Sequence, residues 1–331
     1  GAEPGLEGVP SDGASQPVAQ RAEPADTPEV DAHGVTALSP DPGAVEQLLS
    51  VNRSPMKVGT DYHLTEADMI GAGGVVGKFN NNIAAIRTLR EIEERGTPAT
   101  VEEQAILAKY TGWGWAAPIL HTSNLDRWNR ELGGRPSWMI KGNEHYDRYV
   151  QLRNLLTPAE FEAAVDTINN AHYTSPTVVG AMWDVAQHLG FKGGRVLEPG
   201  CGIGNFAGFM PRDLWAASPF TGVEIDGLTA RMAAQLYQSA NVVNAPYQRT
   251  ALPNGFFDLA IGNVPFQNNV NVADPEFDGR PGGKVVARHL HNFFFAKSLD
   301  KLREDGVALM ISTSGSLDAP TSDAARKILS E

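Results

Sequence analysis

A glycine-rich turn between an apolar segment and a helix-forming segment limits the fold of this chain more than any other feature. Residues 193–206 read GGRVLEPGCGIGNF, and the apolar run in them ends at Glu198. Gly200, Gly202 and Gly204 then alternate with other residues. Glycine allows the positive φ angles of a tight turn and lets the backbone approach a ligand closely. Such a turn predicts a ligand crevice at the carboxyl ends of the strands of an open α/β sheet, beside a helix N-terminus.

Short β-type runs alternate with helical runs from residue 172 onwards, which indicates a parallel sheet with crossover helices. We expect strands at 195–198, 220–224, 240–244, 259–262 and 307–312. We expect helices near 176–189, 204–210, 227–237 and 291–303. The predicted fold class is therefore α/β with a Rossmann-like sheet.

The first fifty residues differ in composition from the rest of the chain. They are rich in Pro, Ala, Gly, Glu and Asp, and they carry most of the formal net charge of −12. Such a stretch cannot bury enough apolar surface to offset its ordering entropy, so we expect residues 1–50 to form a disordered acidic tail. The remainder is close to neutral and lacks the basic surface of a complete DNA-binding protein.

Residues 51–170 are predicted to form a helical region. Apolar side chains recur along residues 80–95 at the spacing of one helix face. Thr100 and Glu103 then form a capping-box pattern at the start of a second helix, which we expect to end at Gly112. The tryptophans in the following WGWAAP are interpreted as packing under a turn, with a base-stacking surface as the alternative.

Several classes of protein are excluded by composition. No apolar run is long enough to span a membrane, and no signal segment opens the chain, so we expect a cytoplasmic protein. The single cysteine, Cys201, excludes a disulfide framework and thiolate-rich zinc sites, and the histidines show no metal spacing. Because the chain begins with Gly1 and stops at Glu331 inside a predicted helix, we expect a fragment whose sheet lacks its last strands.

A carboxylate after the second predicted strand adds to the evidence of the glycine turn. Glu224 ends FTGVE, twenty residues after Gly204, where an acidic side chain can accept both ribose hydroxyls of a nucleoside. The two features together favour a nucleoside cofactor over a turn without a ligand. They do not separate NAD from S-adenosylmethionine.

The segment FDLAIGNVPF, residues 257–266, separates these two cofactors. An aromatic amine is a poor nucleophile, because its lone pair is delocalised into the ring. Two acceptors on its hydrogens, the Asn263 side-chain oxygen and the Val264 carbonyl, would stabilise the charge that develops during methyl transfer. The Phe266 ring would hold a flat base by stacking, and Pro265 completes this candidate catalytic tetrad of residues 263–266. The alternative is a proline-containing strand end without a catalytic role.

The glycine turn and the segment at residues 257–266 together resemble those of a known family. Residues 172–318 are similar to the class I, S-adenosylmethionine-dependent amino-methyltransferases of DNA, whose tetrad is Asn or Asp, Pro, Pro, then Tyr or Phe. More narrowly, residues 64–318 resemble the adenine-specific methylase domains of the large, anti-restriction type methylase–helicase proteins of phages, plasmids and conjugative elements. The matching text is ATVEEQAILAKYTGWG, AHYTSPTVVGAMWD, VLEPGCGIGNFAGFMP, IGNVPF and HNFFFAKSLDKLREDG. The resemblance implies a methyltransferase core at 171–331, S-adenosylmethionine as cofactor, DNA as partner, and a helicase region in the same polypeptide.

The resemblance also implies cofactor contacts by residue position. Tyr173 and Thr174 match positions beside the methionine part, although they suit a helix cap equally well. Phe206 matches a position beneath the cofactor, with core packing as the alternative. Further cofactor-binding positions are Glu198, Gly200, Gly202, Gly204, Glu224 and Ile225. This sequence departs from the pattern at Val264, which replaces the first proline, and at Gln248, or less well Asn244, where an acidic residue usually contacts the adenine amine.

Three functions remain open from sequence. The first is methyl transfer to the exocyclic amine of a DNA base, with adenine favoured over cytosine and with DNA binding that needs further sequence. The second is a non-catalytic module that binds nucleic acid or another partner. The third is a protein glutamine methyltransferase, because a planar amide suits the same tetrad. In the polar loop 267–290, Arg280, Lys284, Arg288 and His289 are interpreted as a solvated surface, with phosphate contacts as the alternative.

Overall fold

The computed structural model describes residues 60–68, 71, 73–120, 144–169, 173–314 and 322–330. The predictions for residues 1–50 lie outside the described residues. Five strands form a single sheet, and all neighbouring strands are parallel. They are β1 Val196–Pro199, β2 Phe220–Glu224, β3 Asn241–Asn244, β4 Phe257–Asn263 and β5 Leu302–Ile311.

The order of the strands places a switch point in the middle of the sheet. Their order is β3-β2-β1-β4-β5, so the chain builds outwards from β1 first on one side and then on the other. Val196 of β1 is paired with Phe220 of β2 and with Leu259 of β4. In open parallel sheets, ligands bind at such a switch point, outside the carboxyl ends of the strands. The turn after β1 and the turn after β4 therefore meet at one edge.

Helices cover both faces of the sheet. In chain order they are α1 Val75–Arg95, α2 Val101–Leu107, α3 Ala117–Leu120, α4 Glu144–Leu155, α5 Pro158–Asp166, α6 Pro176–His188, α7 Asn205–Gly208, α8 Arg212–Ala216, α9 Gly227–Leu236, α10 Pro275–Asp278, α11 Gly283–Val286, α12 Leu290–Lys301 and α13 Asp323–Leu329. Short 3₁₀ turns lie at Glu66–Asp68, Thr167–Asn169 and Tyr247–Arg249.

Alternate strand residues enter two separate apolar cores. Val196 and Leu259 face the core that contains the buried residues of α1, α6 and α9. Leu197 and Ala260 face the opposite core, which contains Phe293 and other buried residues of α12. A strand has a side-chain period of two, so a sheet covered on both faces needs apolar residues at successive positions. This requirement explains the apolar run at residues 259–261 of β4, which is buried throughout.

The helical region shares the first core with the sheet. The capping box predicted at Thr100 is confirmed, because Thr100 and Glu103 exchange both hydrogen bonds at the start of α2. The buried Gln104 side chain of α2 donates to the carbonyl oxygens of Gln235, at 2.9 Å, and Leu236, at 3.2 Å. These bonds hold α2 against the C-terminal end of α9. The helix ends at Leu107, however, and not at Gly112 as expected.

The structure corrects two further expectations. Strand β5 begins at Leu302, inside the helix expected at 291–303, because the peptide of Lys301 accepts a hydrogen bond from Phe256 and Leu302 pairs with Phe257. The loop 267–290 is not simply solvated, since it contains α10, α11 and buried side chains. Among its basic residues, Arg280 is paired with Asp300, and His289 is only 6% exposed.

A buried ion pair joins this loop to α12. The ammonium of Lys297, which is 0% exposed, lies 2.7 Å from a carboxylate oxygen of Asp274, which is 1% exposed. The other Asp274 oxygen accepts the backbone amide of Glu276 at 2.8 Å and so caps α10. Lys301 lies 2.7 Å from Glu276 and extends the network. These contacts hold the segment after β4 in place without any regular strand.

Candidate active site

A cavity of about 540 Å³ lies at the carboxyl ends of β1, β2 and β4. The glycine turn, the end of β2 and the tetrad after β4 all contribute to its wall, as the sequence predicted for one edge of the sheet. The expected site residues that line it are Tyr173, Thr174, Glu198, Gly200, Gly202, Phe206, Glu224, Ile225, Gln248, Asn263 and Pro265. Gly204, Val264 and Phe266 were also expected in the site, but they are not part of this wall.

All three glycines of the turn have positive φ angles, which disfavour side chains at these positions. Gly204 has a φ of 85° and precedes α7, and a Cβ atom there would lie 2.5 Å from the Tyr237 ring. Gly204 therefore shapes the turn from behind the cavity. Gly202 lies against the Tyr173 ring, because a Cβ atom at Gly202 would be 3.5 Å from it. The Cβ position of Gly200 lies 3.6 Å from the Phe294 ring and 3.9 Å from Pro265.

Backbone amides hold the side chain of Glu224 at the C-terminal end of β2. One carboxylate oxygen accepts the amide of Gly202 at 2.8 Å, and the other accepts the amide of Asp226 at 2.8 Å. Burial raises the pKa of Glu224 to about 7, although these two hydrogen bonds oppose the rise. Each oxygen keeps a further lone pair, so the group retains the capacity to accept hydroxyl donors.

Glu198 is a second buried carboxyl group in the same wall. It is 3% exposed, and its Oε2 atom is buried without a hydrogen-bond partner. Burial, followed by the charge of Glu224, raises the pKa of Glu198 well above its usual value. Buried unpaired acids of this kind cluster at functional sites. A cationic ligand group would compensate this unpaired acid.

The position after β3 is occupied by Gln248, as the sequence favoured. Gln248 lines the cavity next to the buried Tyr247. The alternative residue, Asn244, does not line the cavity, and its side-chain amide donates to the backbone oxygens of Glu224 at 2.8 Å and Ile225 at 3.1 Å. Asn244 therefore holds the turn after β2 in shape. The Ile225 side chain is 62% exposed and forms an apolar part of the rim.

Asn263 presents an unpaired oxygen at the start of the tetrad. Its side-chain nitrogen donates to the Thr174 hydroxyl at 3.1 Å, which orients the amide. The side-chain oxygen is buried and has no hydrogen-bond partner. Val264 is 1% exposed, and its side chain packs in the second core. Its backbone amide donates to the carbonyl of Ile311 at 3.2 Å. The Phe266 ring is 41% exposed and lies between the lining residues Pro265 and Gln267.

The aromatic residues around the turn have different surroundings. Phe206 is 2% exposed and lines the cavity, and its carbonyl accepts the Trp183 indole N–H at 3.0 Å. It therefore serves core packing and the cavity wall together. Cys201 is buried beside Gly222, where a Cβ atom would lie 2.8 Å from the sulfur. The thiol therefore packs directly against the backbone of β2, where only glycine leaves room for it.

The sequence reasoning missed two parts of the wall. The helical region contributes Tyr110, Gly112, Trp113, Asp166 and Thr167, and the segment after the tetrad contributes Gln267, Val270, Asn271, Val272 and Ala273. The sequence signal for the first group was KYTGWG, where packing under a turn was the favoured interpretation and a base-stacking surface the alternative. The second group lies in a polar loop whose sequence has no helical or strand period.

Comparison with known proteins agrees with this topology. No family model matches the chain. The chain is 26% identical over 164 residues to the Defense against restriction protein B of Escherichia phage P1, a match that covers 48% of this chain and 7% of that protein. It is 27% identical over 132 residues to an rRNA N(6)-adenosine-methyltransferase of Caenorhabditis elegans, covering 35% of this chain and 61% of that protein. The chain thus spans less than two thirds of each relative.

The chain has a Rossmann-like α/β fold. Its parallel strand order, with the glycine turn directly after β1, is the arrangement that the sequence predicts. The resemblance to anti-restriction proteins that the sequence motifs indicated is confirmed by the similarity to the phage protein. A solved structure of the type I restriction-modification system methyltransferase subunit from Streptococcus thermophilus is also similar. It has a TM-score of 0.40 and 16% identity, over 87% of this chain and 64% of that one.

The described residues contain neither a metal-ligating cluster nor a membrane-spanning helix. No group of three or more His, Cys, Asp or Glu side chains there is arranged to hold a metal ion. None of the helices described is both long and apolar enough to cross a membrane.

Proposed function

We propose that this chain methylates the exocyclic amine of a DNA base, with adenine favoured, using S-adenosylmethionine bound in the cavity. One observation carries the proposal. Asn263, whose buried side-chain oxygen has no hydrogen-bond partner, lines the same cavity as Glu224 and Glu198. An acceptor for an amine and acceptors for a nucleoside cofactor are therefore adjacent.

The residues of the wall suit S-adenosylmethionine. Glu224 would accept the ribose hydroxyls, Ile225 would cover one side of the adenine, and Gln248 would accept its amine. Glu198 and the backbone of Gly200 and Gly202 would surround the amino-acid end, whose ammonium compensates a buried acid. When bound, S-adenosylmethionine supplies an electrophilic methyl group.

The tetrad supplies the chemistry on the acceptor side. The Asn263 oxygen would accept one hydrogen of the target amine, and the Val264 carbonyl would accept the other. Both acceptors become more favourable as the nitrogen gains positive charge, so they stabilise the transition state more than the ground state. The exposed Phe266 ring would stack on the base after it leaves the duplex. Thr174 holds the Asn263 amide and so orients the acceptor oxygen.

The choice of DNA rests on similarity and on the tetrad. The phage relative acts in defence against restriction, by its name, and methylation of DNA bases is the modification that restriction enzymes sense. We infer a role in a larger mobile-element protein, with a helicase region and further DNA-binding sequence in the same polypeptide. An RNA adenine is the second candidate, because the nematode relative is by name an rRNA N(6)-adenosine-methyltransferase.

The test is transfer of a labelled methyl group from S-adenosylmethionine. Unmethylated single-stranded DNA, RNA and an unrelated protein mixture are offered in separate reactions, and the labelled product is digested and identified by chromatography. We expect N6-methyladenine from the DNA. Label found only in RNA would make RNA the substrate of this site. Label found only in protein glutamine would make the chain a protein glutamine methyltransferase. Either result would contradict the choice of DNA.

A matched pair of asparagine variants tests the acceptor role. Asn263→Ala should abolish transfer while the calorimetric Kd for S-adenosylmethionine stays within about threefold, a change below 1 kcal/mol. Asn268→Ala should leave both unchanged, because Asn268 is exposed and is not part of the cavity wall. Equal transfer by the two variants would remove Asn263 from the reaction, and absence of cofactor binding by the wild type would refute the proposal itself.

A further inference from the structure

The turn at residues 110–113 brings the helical region into the cavity wall. It follows α2, and Tyr110, Gly112 and Trp113 all line the cavity. The Tyr110 side chain is 0% exposed and the Trp113 side chain 1% exposed. Their rings meet edge to face, with centroids 6.1 Å apart and planes at 88°. Neither side chain has a role in the function proposed above.

A single buried asparagine holds this turn. Asn82 of α1 is 0% exposed, and its side-chain nitrogen donates to the carbonyl of Gly112 at 2.7 Å. Its side-chain oxygen accepts the amide of Thr111 at 2.9 Å and the Thr111 hydroxyl at 3.3 Å. A buried amide with both ends bonded fixes the backbone next to it. Asn82 therefore ties the turn, and with it this part of the cavity wall, to α1.

The Tyr110 hydroxyl is an unused polar group at this wall. It is buried, and no hydrogen bond of normal length and angle reaches it, although the side chains of Thr229 and Trp113 lie close to it. Burial, followed by the charges of Asp226 and Glu224, raises the pKa of Tyr110, so the phenol is neutral and carries a hydrogen to donate. Asp226 already accepts the amides of Leu228 and Thr229 as the cap of α9. A buried donor without a partner costs stability unless a ligand or water satisfies it.

We propose that the turn at residues 110–113 is part of the cofactor site, and that the Tyr110 hydroxyl donates to the ribose of the bound nucleoside. This inference rests on the proposed function and extends it, because it makes the helical region a component of the cofactor pocket. Tyr110 lines the same cavity as Glu224 and Asp226, and burial, followed by the charges of these two acids, raises the pKa of its hydroxyl. The nucleoside hydroxyls would lie beside Glu224, so the ribose is the part of the ligand assigned to Tyr110. Asn82 is then a positioning residue for Tyr110.

Calorimetric titration of the whole chain with two ligands tests the assignment. S-adenosylmethionine contains the adenine, the ribose and the amino-acid end, whereas methylthioadenosine keeps the adenine and the ribose but lacks the amino-acid end. Tyr110→Phe removes only the hydroxyl, and a single hydrogen bond is worth about three- to tenfold in Kd. We expect the Kd to rise by the same factor for both ligands. Asn82→Ala should raise both Kd values as well, because the turn is released.

The matched control is Tyr149→Phe. Tyr149 belongs to the helical region and packs on Phe161, but it does not line the cavity. It should leave both Kd values unchanged. Unchanged binding by Tyr110→Phe would overturn the inference while the proposed function stands, and a loss confined to S-adenosylmethionine would move the contact to the amino-acid end and overturn the ribose assignment. If the wild type binds neither ligand, the proposed function fails first.

Discussion

Removing one partner of the buried ion pair between Lys297 and Asp274 should cause a large loss of stability, because both side chains are buried. Both side chains are almost fully inaccessible, and their nitrogen and oxygen lie 2.7 Å apart. Replacing Lys297 with Met keeps the length and apolar character of the stem but leaves a buried carboxylate without its counter-ion. Breaking a buried pair by removing one partner costs about 3–5 kcal/mol in the free energy of unfolding. For a domain of this size the melting temperature should fall by roughly 6–20 °C.

A second ion pair in the same chain provides the control. Lys327 lies 3.1 Å from Asp323, but the two side chains are 74% and 55% exposed. Exposed pairs contribute about 0–1 kcal/mol, so Lys327→Met should change stability little. The assay is urea unfolding followed by circular dichroism at pH 7. The double variant Lys297→Met with Asp274→Asn should recover part of the loss, because the unpaired charge is gone while the cap of α10 keeps an acceptor oxygen. Equal, small losses for Lys297→Met and Lys327→Met would refute the reasoning.

Three further predictions concern the site. Burial raises the pKa of Glu224 from 4.5 to about 7, so the folded protein holds a proton that the unfolded chain releases, and stability falls as the pH rises from about 4.5 through about 7. The urea midpoint of unfolding should fall less between pH 5 and pH 8 for Glu224→Gln than for the wild type. An equal fall in the two proteins would mean that other groups cause the pH dependence. Gly204→Ala should cost about 2–5 kcal/mol in urea unfolding, since it combines a positive φ with contact to the Tyr237 ring. Gly255→Ala, with a positive φ but open space, should cost only about 1–2 kcal/mol, and equal costs would contradict the packing argument. Phe266→Ala should raise the KM for DNA while the Kd for S-adenosylmethionine is unchanged, and a KM equal to that of the wild type would exclude base stacking.

The sheet could be predicted from sequence because its signals are local. Strand β2 begins and ends at the residues that the sequence predicted. The glycine turn predicted the position of the crevice, because the strand ends of a parallel sheet meet at one edge. The choice of Gln248 over Asn244 came from the resemblance, and the cavity wall agrees with it. Element boundaries were less accurate where two elements follow each other without a turn, as at Leu302.

Contacts between distant parts of the chain could not be predicted. The lining role of Tyr110 depends on Asn82, about thirty residues earlier, and nothing in the local pattern of either residue shows the pair. The loop 267–290 was misjudged for the same reason, because Asp274 reads as a surface acid until Lys297 is placed beside it. Burial of charge is a property of the assembled fold.

The central claim is that a nucleoside pocket and an amine acceptor share one cavity, and a crystal structure with S-adenosylhomocysteine tests it most directly. The account predicts the ribose on the carboxylate of Glu224, the adenine between Ile225 and Gln248, and the sulfur directed towards the Asn263 side-chain oxygen. A ligand bound outside this cavity, or one whose sulfur faces away from Asn263, would contradict it.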